Sequence, residues 1–174
     1  MTKNELIDLI NSWENLQYLQ NELVKKPELY RLLIEIAFYD KNPKSWRAAY
    51  LVDKINDKNP EMLQPFISEM IEQLKVEQNE SKKRHFLKLI SMNDLPFDEL
   101  GFLTDYCIDV FTSDKMPVAV RVHAMQVLYN ITEKQTDLKS EILLIVEHEM
   151  ENHFTAGILS RGKKLAEKLR KQIS

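Results

Sequence analysis

Glycine is scarce in this chain: 3 of 174 residues, where average usage gives roughly 12. Gly101, Gly157 and Gly162 stand apart from one another, so the clustered glycines of phosphate-cradling loops and dinucleotide-binding turns are missing. Nucleotide folds of those types are excluded. Cysteine is scarcer still. A single Cys107 rules out an intramolecular disulfide and fits a reducing cytoplasm. Its apolar stretch, FLTDYCIDVF, has no His within ten residues to activate a thiolate, which makes a buried structural thiol the expectation. Long hydrophobic runs are also absent. Ile142 to Val146 is far too short to span a bilayer, and MTKNELIDLINSWENLQ lacks the basic region and unbroken apolar stretch of a secretory signal. Charge of one sign is not in excess: 24 Lys and Arg face 27 Asp and Glu, for a net charge of -3. That balance keeps a chain soluble without marking a nucleic-acid binder.

What the sequence does have is helical periodicity. Apolar residues recur at helix spacing nearly throughout, and strictly alternating stretches bounded by turns are missing, so the chain reads as all-α. Lys26-Pro27, Asn42-Pro43, Asn59-Pro60, Leu95-Pro96 and Met116-Pro117 place proline where a helix can begin but hardly continue. The resulting segments are 3–11, 14–25, 27–39, 44–56, 60–76, 80–92, 96–112, 116–132, 137–152 and 156–171. Short connections imply that sequential helices are antiparallel neighbours.

Four of the six arginines, Arg47, Arg84, Arg121 and Arg161, are separated by 37, 37 and 40 residues. After each of the first three the helix continues to an apolar residue, Ile55, Met92 or Tyr129, before a turn and a second helix. The following helices match in character: Phe66, Ile67, Met70, Ile71 and Leu74 correspond to Phe102, Leu103, Tyr106, Cys107 and Val110, then to Ile142, Leu143, Val146 and Met150. A period of about 37 to 40 residues built from two antiparallel helices is the signature of an α-solenoid. The expected architecture is a right-handed superhelix of about four stacked pairs over residues 27–171. The whole chain, 1–174, is read as one repeat domain with an N-terminal helical cap, 1–26, and a basic capping helix, 155–174.

The segment Pro117-Val-Ala-Val-Arg121-Val-His-Ala124-Met-Gln-Val-Leu128 resembles the HEAT-repeat consensus, in which a Pro precedes a Val-Arg pair and small and leucine-like residues follow at helical spacing. Pro43-Lys-Ser-Trp46-Arg47-Ala-Ala-Tyr-Leu51 is similar with Trp in place of Val, and Glu80-Ser-Lys-Lys-Arg84-His-Phe-Leu87 keeps Arg and Leu but has Glu at the Pro position. The resemblance covers about residues 43–171. It implies a HEAT- or armadillo-like solenoid, a family of scaffolds and transport receptors with a minority of DNA-repair enzymes.

Two readings fit the recurring arginines. Arg47, Arg84 and Arg121, with Trp46, form a binding ridge for a carboxylate-bearing partner, or each guanidinium pairs with an acid and locks the stack. The C-terminal segment offers a second candidate. Arg161, Lys163, Lys164, Lys168, Arg170 and Lys171 against Glu167 give +5, leaving -8 for the rest. Its apolar stripe, Ile158, Leu165, Ala166, Leu169 and Ile173, leaves a basic outer face, as a capping helix or an anion site requires. His148 and His153, five apart, project about 140° from each other on a helix and do not make a metal pair; with Glu147, Glu149 and Glu151 they read as an exposed acidic helix end. His85 and His123 have no Ser, Cys or acid placed by sequence to make either a catalytic base. Trp13, Trp46, Tyr39 and Tyr50 read as packing residues.

No metal-ligand set, nucleophile with a nearby base, or phosphate loop is present, so neither an enzyme nor a cofactor is expected. The expected role is a cytoplasmic interaction or scaffold module that binds a protein or peptide on the concave face of the solenoid, without membrane association. The alternative is a nucleic-acid-binding protein similar to the HEAT-like alkylpurine DNA glycosylases, which hold DNA with tryptophans and arginines.

Overall fold

The computed structural model describes residues 1–153 and 155–174. Among them the chain forms ten α-helices and no β-strand: α1 (Lys3–Ser12), α2 (Leu16–Lys25), α3 (Pro27–Tyr39), α4 (Trp46–Asn56), α5 (Ile67–Leu74), α6 (Glu80–Met92), α7 (Leu100–Thr112), α8 (Val118–Lys134), α9 (Lys139–Asn152) and α10 (Ala156–Ile173). Nine of the ten expected segments are close to these limits. The exception is 60–76, where two 3-10 turns, Pro60–Met62 and Gln64–Phe66, precede a short α5. Pro65 is the reason: a proline inside a helix removes one N–H donor and crowds the carbonyl four residues earlier. Single 3-10 turns at Pro43–Ser45, Phe97–Glu99 and Thr136–Leu138 likewise lead into α4, α7 and α9.

The chain divides into two compact units, Met1–Leu89 and Ile90–Ser174. In the first unit α3 packs against α4, and α1 and α2 both rest on this pair. The core comprises Leu6, Ile10, Leu23, Leu33, Ile34, Leu51, Val52, Ile67, Ile71 and Phe86, all essentially without solvent exposure. Burying each of the larger side chains contributes about 1.5–3 kcal/mol. Phe38 of α3 meets Phe86 of α6 edge to face, with centroids 5.6 Å apart, the arrangement the ring quadrupoles favour.

The ends of α1 are set by local chemistry. At its start Thr2 Oγ1 accepts from the Glu5 N–H at 3.3 Å while Glu5 Oε2 accepts from the Thr2 N–H at 2.7 Å, a reciprocal cap. At its end Trp13 and Asn15 both adopt the left-handed conformation, with φ of 61° and 52°. Asn tolerates this region. A tryptophan pays roughly 1–2 kcal/mol for it, so its surroundings must compensate.

In the second unit α7 packs along α8, α9 packs along α10, and α10 also rests on α8. The α9–α10 approach depends on Gly162: a Cβ there would lie 2.6 Å from Met150 Sδ and 2.8 Å from Met150 Cγ. Ile158, Leu165, Ala166 and Leu169 are buried, whereas Ile173, expected on the same stripe, is exposed at the last residue of the helix. The close pairs α3/α4, α7/α8 and α9/α10 place Arg47, Arg121 and Arg161 on the second helix of each pair, not on the first helix of a repeating helix-turn-helix unit. The tight connections at Pro43 and Pro117 fall inside the pair.

Candidate functional site

Arg47, Arg121 and Arg161 lie on the second helix of a close pair and Arg84 lies on α6, and no two share the same surroundings. Arg47 of α4 is half-buried. Its Nη1 donates to the Asn11 carbonyl at 2.6 Å, and its guanidinium lies 5.0 Å above the Trp13 ring and 5.8 Å from that of Trp46. Asn11 is in the last turn of α1, where carbonyls lack intrahelical donors and a cation suits the helix dipole. Trp13 itself packs on Trp46 at 5.8 Å and Tyr50 at 5.1 Å. This cluster packs on Trp13, whose backbone is left-handed, and leaves part of Trp46 and Tyr50 exposed. Tyr39 stands apart, exposed, with its hydroxyl donating to Glu69 at 2.5 Å.

Arg121 of α8 is 3% exposed. Its Nε donates to the Phe111 carbonyl at 2.8 Å and its Nη2 to Glu149 Oε2 at 2.7 Å, again satisfying the end of an earlier helix, α7. Glu149 also faces His153 Nε2 at 3.2 Å. The exposed acidic helix end expected here is therefore corrected at Glu149, which is buried, while His148 and Glu151 are exposed. Glu149 falls on the stripe Ile142, Val146, Glu149 and so faces inward, where only a paired carboxylate is tolerated.

Arg84 of α6 differs from both. It is exposed and makes no hydrogen bond or ion pair among the described residues. Its neighbour His85 points inward, with Nδ1 3.0 Å from Asp53 Oδ2; Lys88 Nζ donates to Asp53 Oδ1 at 2.6 Å. Burial alone would raise the Asp53 pKa, but the hydrogen bonds from His85 and Lys88 outweigh it and hold the carboxyl below its ordinary value. His85 Nε2 is buried without a hydrogen-bond partner among the described residues, and the Tyr50 ring lies edge-on at 5.9 Å. An acid beside His85 is thus present, supplied by a helix more than thirty residues earlier. The signal for it was in the sequence: Ala49, Asp53 and Asn56 occupy one buried stripe of α4.

Much of the basic C-terminal face is engaged within its own unit. Arg161 Nη1 donates to Gln126 Oε1 at 2.5 Å. Arg170 grips Glu147 Oε1 through Nε and Nη2 at 2.9 and 2.6 Å, and Lys171 pairs with Glu167 at 2.8 Å. Lys168 lies 5.5 Å from the Tyr129 ring centroid. Lys163 and Lys164 are exposed without a partner among the described residues.

Cys107 is wholly buried, and burial pushes its thiol pKa up. Among the described residues no group of three or more His, Cys, Asp or Glu could hold a metal ion, and no helix is long and apolar enough to cross a membrane. The arrangement offers cations and aromatic rings for recognition, with polar ties beneath them.

Paired antiparallel helices recurring with an arginine on the second member define an all-α helical-repeat protein of the solenoid class. The model of the HEAT repeat domain matches residues 3–169, and the chain belongs to the HEAT repeat family. Neither a curated protein nor a solved structure gives a significant match.

Proposed function

We propose that the chain is a non-catalytic, cytoplasmic interaction module, working as a single repeat domain between caps at 1–26 and 155–174, that binds a protein or peptide on the concave surface repeat stacking creates. HEAT repeats generally mediate protein interactions. The observation carrying the reading is the uneven use of the recurring arginines. Arg84 is the available guanidinium, able to grip a carboxylate with two hydrogen bonds; Arg47 with Trp46 flanks the same unit, and Arg121 serves as an internal tie. Lys163 and Lys164 supply a second cationic patch, in keeping with an acidic partner.

The test is a crosslinking pull-down from the source cell with wild type beside Arg84→Ala and a Lys163→Ala, Lys164→Ala double variant. Circular dichroism should give the same helicity and Tm for all three, and a defined partner should be lost with Arg84→Ala. An identical partner set from all proteins removes these residues from the site. The Trp13–Trp46–Tyr50 cluster beside Arg47 supports a second reading, nucleic-acid binding through base stacking and phosphate contacts. Tight anisotropy binding of a DNA duplex that weakens steeply with salt would replace the scaffold reading with this one.

A further inference from the structure

Lys82 is the one fully buried lysine among the described residues, at 2% exposure. It lies at a cleft of about 590 Å³ in the first unit, between the turn after α3 and the turn after α5. An ammonium carries three N–H donors. One meets the Asp40 carbonyl at 2.7 Å, a second faces Glu77 Oε2 at 3.5 Å, and the third has no acceptor among the described residues. Both neighbouring carboxylates also serve the backbone of their own turns. Asp40 Oδ1 accepts the Asn42 N–H at 2.7 Å, and Glu77 Oε1 accepts the N–H groups of Gln78 and Asn79 at 2.9 and 2.8 Å. Burial pushes the Lys82 ammonium pKa down, more than Glu77 and Asp40 together restore it. The ammonium is held by one carbonyl and one carboxylate at the long end of ion-pair range, with a donor to spare.

The rest of the cleft indicates what else a ligand must offer. Its rim carries two exposed apolar side chains, Tyr39 and Val76, the latter 65% exposed, and Phe38 lies beneath. Lys41, also at the rim and without a partner among the described residues, adds a second positive charge. A cleft formed by two turns, with polar backbone and side chains, apolar groups at its rim and an ammonium with a donor to spare, suits a peptide segment better than a compact apolar metabolite.

We propose that this cleft binds an extended peptide segment in which a bulky apolar residue seats between Tyr39 and Val76 and an adjacent aspartyl or glutamyl carboxylate completes the coordination of Lys82. The proposal rests on the peptide-binding reading above but uses none of its arginines. The probe is a pool of short fluorescein-labelled peptide amides carrying Leu, Phe or Val next to Glu in otherwise randomised sequence, with a matched pool in which Gln replaces Glu. Anisotropy titration of the full chain should show saturable binding of the Glu pool and about tenfold weaker binding of the Gln pool, the scale of one charge-assisted hydrogen bond. Lys82→Met should remove the preference for Glu. Because Lys82→Met also loosens the turns that Lys82 joins, Val76→Asp, on an exposed rim, is the second variant: it should weaken the Glu pool about tenfold with an unchanged melt. Equal affinity for both pools, no saturable binding, or indifference to Val76→Asp would each overturn the proposal. Arg84→Ala should leave pool binding unchanged, so failure here is separable from failure of the Arg84 site.

Discussion

Arg47 and Arg121 occupy equivalent places in the repeat and perform the same task, holding a carbonyl in the last turns of an earlier helix, in two different media. In the first unit the guanidinium lies half in water against two indoles, and its contact with Asn11 is one neutral acceptor. In the second it is buried, and a carboxylate brought in by α9 balances its charge. The aromatic solution tolerates loss because water can replace much of what is removed. The ionic solution does not, because each partner left alone is a buried charge.

The largest effect should come from breaking the buried pair. Arg121→Ala is expected to cost about 3–5 kcal/mol in chemical denaturation, whereas Arg121→Met with Glu149→Leu should recover most of that loss. If the single and double variants are equally damaged, the pair is not the reason for the sensitivity. Second in size is Gly162→Ala, which drives a methyl into Met150 and should cost about 1–3 kcal/mol, with Met150→Ala partly rescuing it. A melt equal to wild type would mean the helices part easily. Arg47→Ala should cost less, about 1–2 kcal/mol, combining a net hydrogen bond with cation–π contacts near the surface; a loss matching Arg121→Ala would erase the contrast between the two media.

The smallest effect concerns pH. The folded Asp53 carboxyl lies below its ordinary value of 3.8, so the unfolded chain takes up the proton first as acid is added. Its stabilisation is present above 3.8 and is lost as the pH falls through the lower folded value. Asp53→Asn should flatten the acid limb of the stability curve in that window, and an unaltered acid limb would show that His85 and Lys88 do not hold the ionised carboxylate.

Helices and their order were legible because apolar spacing and proline speak locally. Pro65 was the local signal that the segment 60–76 passed over. The polar interior was harder to read. Asp53, Lys82 and Glu149 each continue an apolar stripe, as in Lys82, Phe86 and Leu89, and nothing in that spacing names the partner, which another helix supplies. Exposed and tying arginines were indistinguishable for the same reason: Arg84 and Arg121 recur at the same spacing, and only the neighbouring helices make one exposed and the other enclosed.

The solitary thiol has a practical consequence. Cys107 sits wholly inside the second unit on α7, so a thiol reagent can reach it only when that helix lifts away. Its labelling rate at rising denaturant is therefore a built-in clock for the opening of α7, readable without introducing any residue. Comparing that rate with global unfolding distinguishes a unit that opens by itself from one that opens only when the whole protein does.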